Sequence, residues 1–375
     1  MTNNLDTQYQ DLLRTVLRDG IKKADRTGVG TISKFGHTMR FNMADGFPLL
    51  TTKKIYTKAM FHELLWFVKG GDNIKYLVDN DVRIWNEWPY QKYVNHCDNE
   101  VNEMRATGIL VDYQQPTMAE FVELIKEDKD GFAAKWGDLG PVYGKQWVDW
   151  KGYKEGIQYG VRKSYTQTLP DTEPGVNQLD QVIDALKNNP DSRRIMVSAW
   201  NPSDLPKQLL PPCHYAWQVW SRELTATERE DHYAKLNNYN EAERLEMHPN
   251  HTDDDVHQKM DEMNVPKRAL SLMFQMRSVD CFLGMPFDIA SYAGLLTMIA
   301  HCTDMVPDEL LVNSGDTHIY LNHLDQVNEQ LERTHFELPT LTFNPKTKNI
   351  YEIKYEDFIL NDYQCHPSIK ADVAI

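Results

Sequence analysis

Residues 193–220 read RRIMVSAWNPSDLPKQLLPPCHYAWQVW, and this stretch decides the fold class. Its two ends, 193–200 and 214–220, are rich in β-branched and aromatic residues, a composition typical of strands. Downstream, residues 287–304 (FDIASYAGLLTMIAHCTD) are apolar almost throughout and predict a long buried helix. Residues 193–220 therefore predict two strands, and residues 287–304 predict a helix of the core further along the chain.

The upstream sequence adds two helices and a strand. Apolar residues at helical spacing predict a helix over 8–20 that ends at Gly20, and a second helix over 55–69. A glycine-rich turn at 25–33 leads into strand-like residues around 35–42. Because strands and helices alternate irregularly, the sequence predicts an α+β fold rather than a regular βαβ array.

Composition restricts the class of protein. The 375 residues include 9 Trp, 18 Tyr and 13 Phe, enough aromatic surface to form a large core. A net charge of −15 argues against generic binding to nucleic acid or anionic membranes. The five cysteines are widely spaced without a C-x-x-C pair, so neither zinc binding nor a disulfide framework is indicated. The polar start and the lack of a long apolar run predict a protein of the reducing cytoplasm.

Two segments differ from the rest in composition, at about 91–135 and 223–267. Both are polar, and the second is strongly acidic. We expect solvated helical insertions on the surface of one catalytic domain that spans 1–375. Four histidines of the second segment have irregular spacing, which does not indicate a metal site: His232, His248, His251 and His257.

Cys213 is a candidate nucleophile. It lies where a proline-rich turn meets a strand, in LPPCH. A lone cysteine is commonly a small buried apolar side chain. Nearby cations would lower the pKa of its thiol and supply the reactive thiolate.

Arginines form a second candidate group. Arg26 lies in the glycine-rich turn, Arg193 and Arg194 are adjacent, and Arg277 precedes Ser278. In an acidic chain such a set suits bidentate binding of a phosphate dianion, although surface ion pairs would explain it equally well.

Glu63 is the acidic residue of the apolar segment MFHELLWF. Apolar neighbours raise the pKa of a carboxyl group, which suits a general acid and base. A buried structural carboxylate is the other interpretation, and the segment alone does not separate the two.

Motifs distributed over the chain resemble the thymidylate synthase family, from about residue 8 to the final VAI. The motifs are DRTGVGTISKFGHTMRFNMADGFPLLTTKK (25–54), HELLWF (62–67), IWNEW (84–88), GDLGPVYGKQW (137–147), DSRRIMVSAWNPSDL (191–205), LPPCH (210–214), FLGMPFDIASYAGLL (282–296) and GDTHIYLNH (315–323). The resemblance implies a large mixed β-sheet with flanking helices, one sheet face of which forms a homodimer interface. It also implies methylenetetrahydrofolate as cosubstrate and no metal.

The resemblance implies a role for each candidate residue. Cys213 would attack C6 of a pyrimidine nucleotide, Glu63 would act as acid and base through water, and Tyr143 would assist proton removal from C5. His214 and Asp288 complete the catalytic set. The phosphate would be bound by Arg26, Arg277 and Ser278 of one subunit together with Arg193 and Arg194 of the other subunit. The sugar would be bound by His318 and Tyr320. The folate pocket would be lined by Trp85, Trp88, Leu210, Asp280, Leu283, Gly284 and Phe287. The C-terminal residues Ala374 and Ile375 would close it, with Ala374 in contact with the folate.

Asp288 departs from the family pattern. Synthases acting on deoxyuridylate read PFNIASY, and this chain reads PFDIASY. A carboxyl group can pair with N3 and the amine of cytosine, whereas an ionised carboxylate would face O4 of uracil without a donor. Met276 before Arg277 is a weaker departure in the same direction. We therefore expect the deoxycytidylate-specific branch, as in phage DNA modification, with ordinary conversion of deoxyuridylate to thymidylate as the alternative.

The sequence does not decide whether the product carries a methyl or a hydroxymethyl group at C5. Hydride transfer gives a methyl group, and attack by water gives a hydroxymethyl group. The final residues, Trp85 and His214 resemble those of the synthases, whereas the Asp-bearing relatives are mostly hydroxymethylases. A homologue that only binds would be expected to lose Cys213 or the arginines. A thiol hydrolase using Cys213 with His214 fails because adjacent strand residues point to opposite faces.

Overall fold

The computed structural model describes residues 3–158, 161–168, 173–237, 239 and 252–373. The helices are α1 Asn4–Asp19, α2 Thr57–Val68, α3 Lys75–Asp79, α4 Glu87–Ala106, α5 Met118–Glu127, α6 Phe132–Trp136, α7 Tyr143–Val148, α8 Gln178–Asn188, α9 Ala226–Leu236, α10 Asp253–Glu262, α11 Gly284–Cys302 and α12 Leu324–Leu331. The strands are β1 Ile21–Lys23, β2 Thr31–Asn42, β3 Tyr153–Gln158, β4 Val161–Thr168, β5 Met196–Ser198, β6 His214–Glu223, β7 Arg268–Asp280, β8 Met305–Tyr320, β9 Thr340–Phe343 and β10 Phe358–Asn361.

A six-stranded mixed sheet is the largest element of the described structure, in the order β1-β2-β8-β7-β6-β5. β2 pairs antiparallel with β8, from Thr31 opposite Tyr320 to Asn42 opposite Glu309. β7 pairs with β8 in parallel, which requires a crossover, and α11 provides it. The predicted α+β class with a large mixed sheet and flanking helices is confirmed.

The chain divides into two compact units. The first comprises Met1–Ile55, Gln181–Met196 and Trp217–Ile375, and the second comprises Tyr56–Asp180 and Val197–Ala216. In the first unit, α11 is buried along most of its length and contacts β7 and β8. Phe274 of β7 stacks on Tyr292 of α11 with ring centroids 4.1 Å apart. A helix that is apolar all round, as this one is, has to be buried on every side.

Helix boundaries differ from the predictions for local reasons. The first helix begins at Asn4 rather than at 8, because the side chain of Asn3 accepts from the Asp6 N–H and caps it. Its end at Gly20 is as predicted, and a Cβ there would lie 2.4 Å from the Val16 carbonyl oxygen. The long helix begins at Gly284 rather than at 287, since Pro286 is tolerated in a first turn.

Strand boundaries differ as well. The strand predicted over 193–200 is only Met196–Ser198, because Arg193 and Arg194 lie in a turn. The strand predicted around 35–42 starts earlier, at Thr31, since its pairing with β8 begins there.

The first polar segment, at about 91–135, contains α5 and parts of α4 and α6, and together with the adjacent Trp136 it forms an aromatic cluster. Tyr93, Phe121, Phe132 and Trp136 form a cluster of ring contacts, with Tyr93 and Trp136 centroids 5.1 Å apart. Phe121 has no exposed surface. This segment therefore has an aromatic interior of its own.

The second insertion pairs α9 with α10 around Val256, Met260 and Val265. Arg229 is 1% exposed and donates to the carbonyl oxygens of His257, Val265 and Pro266 and to the Asp261 carboxylate. A buried guanidinium with this many acceptors is a structural anchor. Residues 238 and 240–251, which include His248 and His251, lie outside the described residues.

Candidate active site

Glu63 lies on α2, a helix whose other side chains are mostly buried. Its own side chain is partly exposed, and the Trp85 Nε1–H donates to its Oε1 at 2.6 Å. Burial raises the pKa of Glu63 to about 7, while the hydrogen bond from Trp85 acts in the opposite direction. The prediction of a carboxyl group with a raised pKa is confirmed, and at neutral pH this group can both give and take a proton.

A hydrogen bond from its backbone N–H fixes the position of Cys213. Its backbone N–H donates to the Tyr143 hydroxyl at 2.7 Å, and the cysteine is partly exposed just before β6. Tyr143 is 2% exposed at the start of α7. The structure thus brings together two residues 70 positions apart that the sequence had named separately.

His214 stacks on Tyr143 with ring centroids 4.1 Å apart. Burial lowers the pKa of His214 to about 3, so the imidazole is neutral at physiological pH. A neutral ring here serves as a packing partner and hydrogen-bonding group rather than as a cation.

Phe67 is a member of the site that sequence reasoning missed. Its ring lies 4.9 Å from Tyr143, 5.7 Å from His214 and 6.5 Å from Trp85, measured between centroids. The available signal was its spacing, because residues i and i+4 share a helix face and Phe67 follows Glu63 by four. The close approach of α7 also depends on Gly144, where a Cβ would lie 2.4 Å from the Phe67 carbonyl oxygen.

The candidate folate residues of the second unit form an aromatic wall. Trp85 is buried and Trp88 partly exposed, with centroids 5.4 Å apart, and Trp66 lies 5.7 Å from Trp85. Leu210 is partly exposed in the turn before Cys213. Flat aromatic surface of this kind suits the stacking of a heterocycle.

The glycine-rich turn that carries Arg26, in the first unit, is built around Asp25. Its carboxylate accepts from the backbone N–H groups of Thr27 and Gly30 at 2.9 and 2.6 Å. Gly28 and Gly30 have φ values of 77° and 83°, which glycine adopts without strain. Arg26 is exposed on this turn.

The pairing of β7 with β8 places the other candidate residues in register. Asp280 lies opposite His318, and Ser278 lies opposite Asp316. His318 is buried and meets Tyr320 edge to face at 5.0 Å between centroids. Arg277 is exposed next to Ser278, and Arg193 and Arg194 are exposed in their turn.

Asp280 and Asp288 flank Gly284 at the start of α11. The Asp280 carboxylate accepts from the N–H groups of Phe282 and Leu283 at 2.8 and 3.2 Å. A Cβ on Gly284 would lie 3.7 Å from Asp288 Oδ2 and 3.9 Å from Asp280 Cβ. Phe287 and Asp288 are partly exposed on this mostly buried helix. Ala374 and Ile375 lie outside the described residues.

Comparisons with known proteins point to one family. A family model described as thymidylate synthase matches residues 7–375. The chain is 42% identical to the thymidylate synthase of Mycoplasma mobile over 368 residues, which is 98% of this chain and 99% of that protein. It is 39% identical to the Mesoplasma florum thymidylate synthase over 368 residues and 41% identical to that of Aster yellows witches'-broom phytoplasma over 367, with the same coverage.

The chain belongs to the thymidylate synthase family.

Thymidylate synthases transfer a one-carbon unit from methylenetetrahydrofolate to C5 of a pyrimidine nucleotide. Among the described residues no group of three or more His, Cys, Asp or Glu side chains is arranged to hold a metal ion. In the same part of the chain, no helix is long and apolar enough to cross a membrane.

Proposed function

We propose that the chain is a thymidylate synthase that methylates deoxyuridylate to thymidylate. The relatives at 39–42% identity along almost the whole chain are named thymidylate synthase, which favours the ordinary reaction over the deoxycytidylate branch. The observation that carries the chemistry is the hydrogen bond from the Cys213 N–H to Tyr143, because it fixes the candidate nucleophile beside the residue that would accept the C5 proton.

The proposed steps use groups with suitable protonation states. The Cys213 thiolate adds to C6, which pushes electron density onto C5 and makes it a nucleophile. C5 then bonds to the methylene group of methylenetetrahydrofolate. Tyr143, oriented by Phe67 and neutral His214, would pass the C5 proton to water, and tetrahydrofolate would depart to leave an exocyclic methylene at C5. Hydride from that tetrahydrofolate would convert the methylene to methyl and give dihydrofolate, while the C6–S bond breaks and its electron pair returns to Cys213 as thiolate. Glu63, with a pKa of about 7, exchanges protons through water near the pyrimidine.

The phosphate would be bound by arginines of two subunits. Arg26, Arg277 and Ser278 come from one chain, and Arg193 and Arg194 would come from a second copy. Exposed large apolar side chains on the sheet support a homodimer, since Phe35, Met196 and Trp220 are 88%, 54% and 56% exposed. Large exposed apolar patches commonly mark protein–protein interfaces. We further propose one cytoplasmic catalytic domain over 1–375, with insertions at about 91–135 and 223–267.

Asp288 supports deoxycytidylate as the second candidate substrate. A protonated carboxyl accepts from the uracil N3–H and donates to O4, or donates to the cytosine N3 and accepts from the amine. An ionised carboxylate loses the match to O4 and retains a match to a cytosine protonated at N3. Asp288 therefore permits both nucleotides, and the names of the relatives favour deoxyuridylate as the first candidate.

Product analysis tests the proposal. Purified enzyme would be given methylenetetrahydrofolate with deoxyuridylate or deoxycytidylate, and kcat/KM would be measured together with product mass. We expect thymidylate and dihydrofolate from deoxyuridylate. Exclusive turnover of deoxycytidylate would replace the first candidate by the second, and its product mass would separate methyl from hydroxymethyl transfer. Turnover of neither nucleotide would reject both.

A further inference from the structure

His323 lies at the end of a short turn, Leu321–His323, between β8 and α12, and it has no exposed surface. Its Nε2 lies 2.8 Å from the backbone carbonyl oxygen of Asp372. Because a carbonyl oxygen can only accept, Nε2 carries the proton and donates. One helical turn further on, the Gln326 side chain lies 3.5 Å from the Lys370 carbonyl oxygen. Two side chains, one just before α12 and one in its first turn, thus hold the main chain of residues 370–373.

The same imidazole also touches the candidate ligand pocket. Its ring centroid lies 5.5 Å from Phe282 and 5.7 Å from Tyr320. Its Nδ1 lies 3.9 Å from Asp280 Oδ1 and, within the described residues, is a buried nitrogen without a hydrogen-bond partner. Asp280 is itself fixed by the N–H groups of Phe282 and Leu283. His323 therefore lies between a candidate folate residue, a candidate sugar residue and the final segment.

We propose that His323 is a positioning residue that fastens segment 370–373 beside the folate pocket through its hydrogen bond to the Asp372 carbonyl. The inference rests on the proposed function and on Asp280 as a candidate folate residue. The packing of the ring against Phe282 and Tyr320 fixes the direction of Nε2, so the carbonyl of Asp372 has a defined place. Without this bond, segment 370–373 loses its anchor to the ring beside Asp280 and Phe282, and we expect the folate to be held less well, while nucleotide binding changes less.

Matched substitutions separate the hydrogen bond from the packing. His323→Gln places an amide N–H near the position of Nε2, whereas His323→Asn is polar but too short to reach Asp372. His323→Leu fills space without a donor. For the Asn and Leu variants we expect KM for methylenetetrahydrofolate to rise about three- to tenfold, the range that one buried hydrogen bond supplies. The Gln variant should stay within about twofold of the wild type, as should KM for the nucleotide in all three.

A measurement without catalysis distinguishes failure of this inference from failure of the proposed function. Amide hydrogen exchange of the peptide covering 368–373 should accelerate in the Asn and Leu variants and stay near the wild-type rate in His323→Gln. Unchanged exchange in all three variants, or equal acceleration in all three, would overturn the inference whether or not the enzyme turns over. If exchange accelerates only in the Asn and Leu variants but the wild type has no synthase activity, the role of His323 as an anchor would be supported and the proposed function would be rejected.

Deleting residues 370–375 gives a second, independent test. If His323 acts through the segment, His323→Leu should add nothing to the folate KM of the shortened chain. An equal effect of the substitution in the full-length and shortened chains would show that His323 acts on the pocket directly, against the inference.

Discussion

The indole N–H of Trp85 donates to the carboxylate of Glu63 at 2.6 Å. Trp85 is therefore both part of the aromatic wall and the hydrogen-bonding partner of the candidate acid and base. The bond opposes the effect of burial, which raises the pKa of Glu63 to about 7. The balance between these two effects sets the fraction of ionised Glu63 at neutral pH.

Trp85→Phe should shift the pH profile of kcat upward. The substitution keeps an aromatic ring but removes a donor to the charged form, so the pKa of Glu63 rises by about one unit. The measurement is kcat between pH 5.5 and 9 for both proteins, with Glu63→Gln as control because it should lack this inflection. An inflection at the same pH in wild type and Trp85→Phe would contradict a role for this hydrogen bond.

Glu63 should also reduce the stability of the folded protein at alkaline pH. Its folded-state pKa of about 7 exceeds the ordinary 4.5, so between these values the folded chain binds more protons than the unfolded chain. Its contribution to stability is therefore present below about pH 4.5 and is lost as pH rises to 7. Glu63→Gln should be more stable than wild type by about 3 kcal/mol at pH 8 and nearly equally stable at pH 4.5. Denaturant unfolding at both pH values checks this, and a pH-independent difference would count against it.

Cys213 should form a covalent adduct with 5-fluorodeoxyuridylate in the presence of methylenetetrahydrofolate. Fluorine replaces the C5 proton that has to leave, so the reaction stops with sulfur still bound to C6. Peptide mass spectrometry should find the adduct on the peptide containing Cys213, and Cys213→Ser should not form it. An adduct on Cys97 or Cys365, which are also partly exposed, would reject Cys213 as the nucleophile.

Shared active sites should show in mixed dimers. If Arg193 completes the site of the other subunit, mixing inactive Cys213→Ala with inactive Arg193→Ala should restore about a quarter of the wild-type activity, since half of the dimers are mixed and each has one intact site. Mixing Cys213→Ala with Glu63→Gln should restore none, because Cys213 and Glu63 act from one subunit. No recovery after confirmed subunit exchange would argue against a shared phosphate site.

The α9–α10 insertion should depend on Arg229. Arg229→Met removes the donor to the carbonyl oxygens of His257, Val265 and Pro266 and one of the two cations at Asp261, which keeps Lys267, so it should destabilise this segment by about 2–4 kcal/mol. Hydrogen exchange in 226–236 and 253–262 should accelerate locally. Lys259→Met is the matched control, an exposed cation of the same insertion, and should have little effect. Equal effects of the two substitutions would mean that Arg229 is not the anchor.

The sequence predicted what depends on local patterns. The buried helix α11, the Gly20 stop and the raised pKa of Glu63 follow from apolar spacing and from neighbours in the chain. The bond between Trp85 and Glu63 did not follow, because it joins residues 22 positions apart through packing of two elements. Phe67 was missed for a different reason, because a phenylalanine on an apolar helix looks like any core residue.

The insertions show the opposite error. Their polar composition predicted solvated surface, but Phe121 and Arg229 are completely or almost completely buried. A few aromatic residues, or one arginine with enough acceptors, organise a small interior that average composition does not reveal.

A competition assay tests the central claim most directly. Wild type and Asp288→Asn would each receive equal concentrations of deoxyuridylate and deoxycytidylate with limiting methylenetetrahydrofolate, and the products would be quantified by mass at pH 6, 7 and 8. We predict thymidylate as the main product of the wild type. Asp288→Asn should form no deoxycytidylate product and should convert deoxyuridylate at least as efficiently as the wild type, because an amide donates to O4 and an ionised carboxylate does not. A wild type that forms mainly 5-methyl- or 5-hydroxymethyldeoxycytidylate would contradict the account.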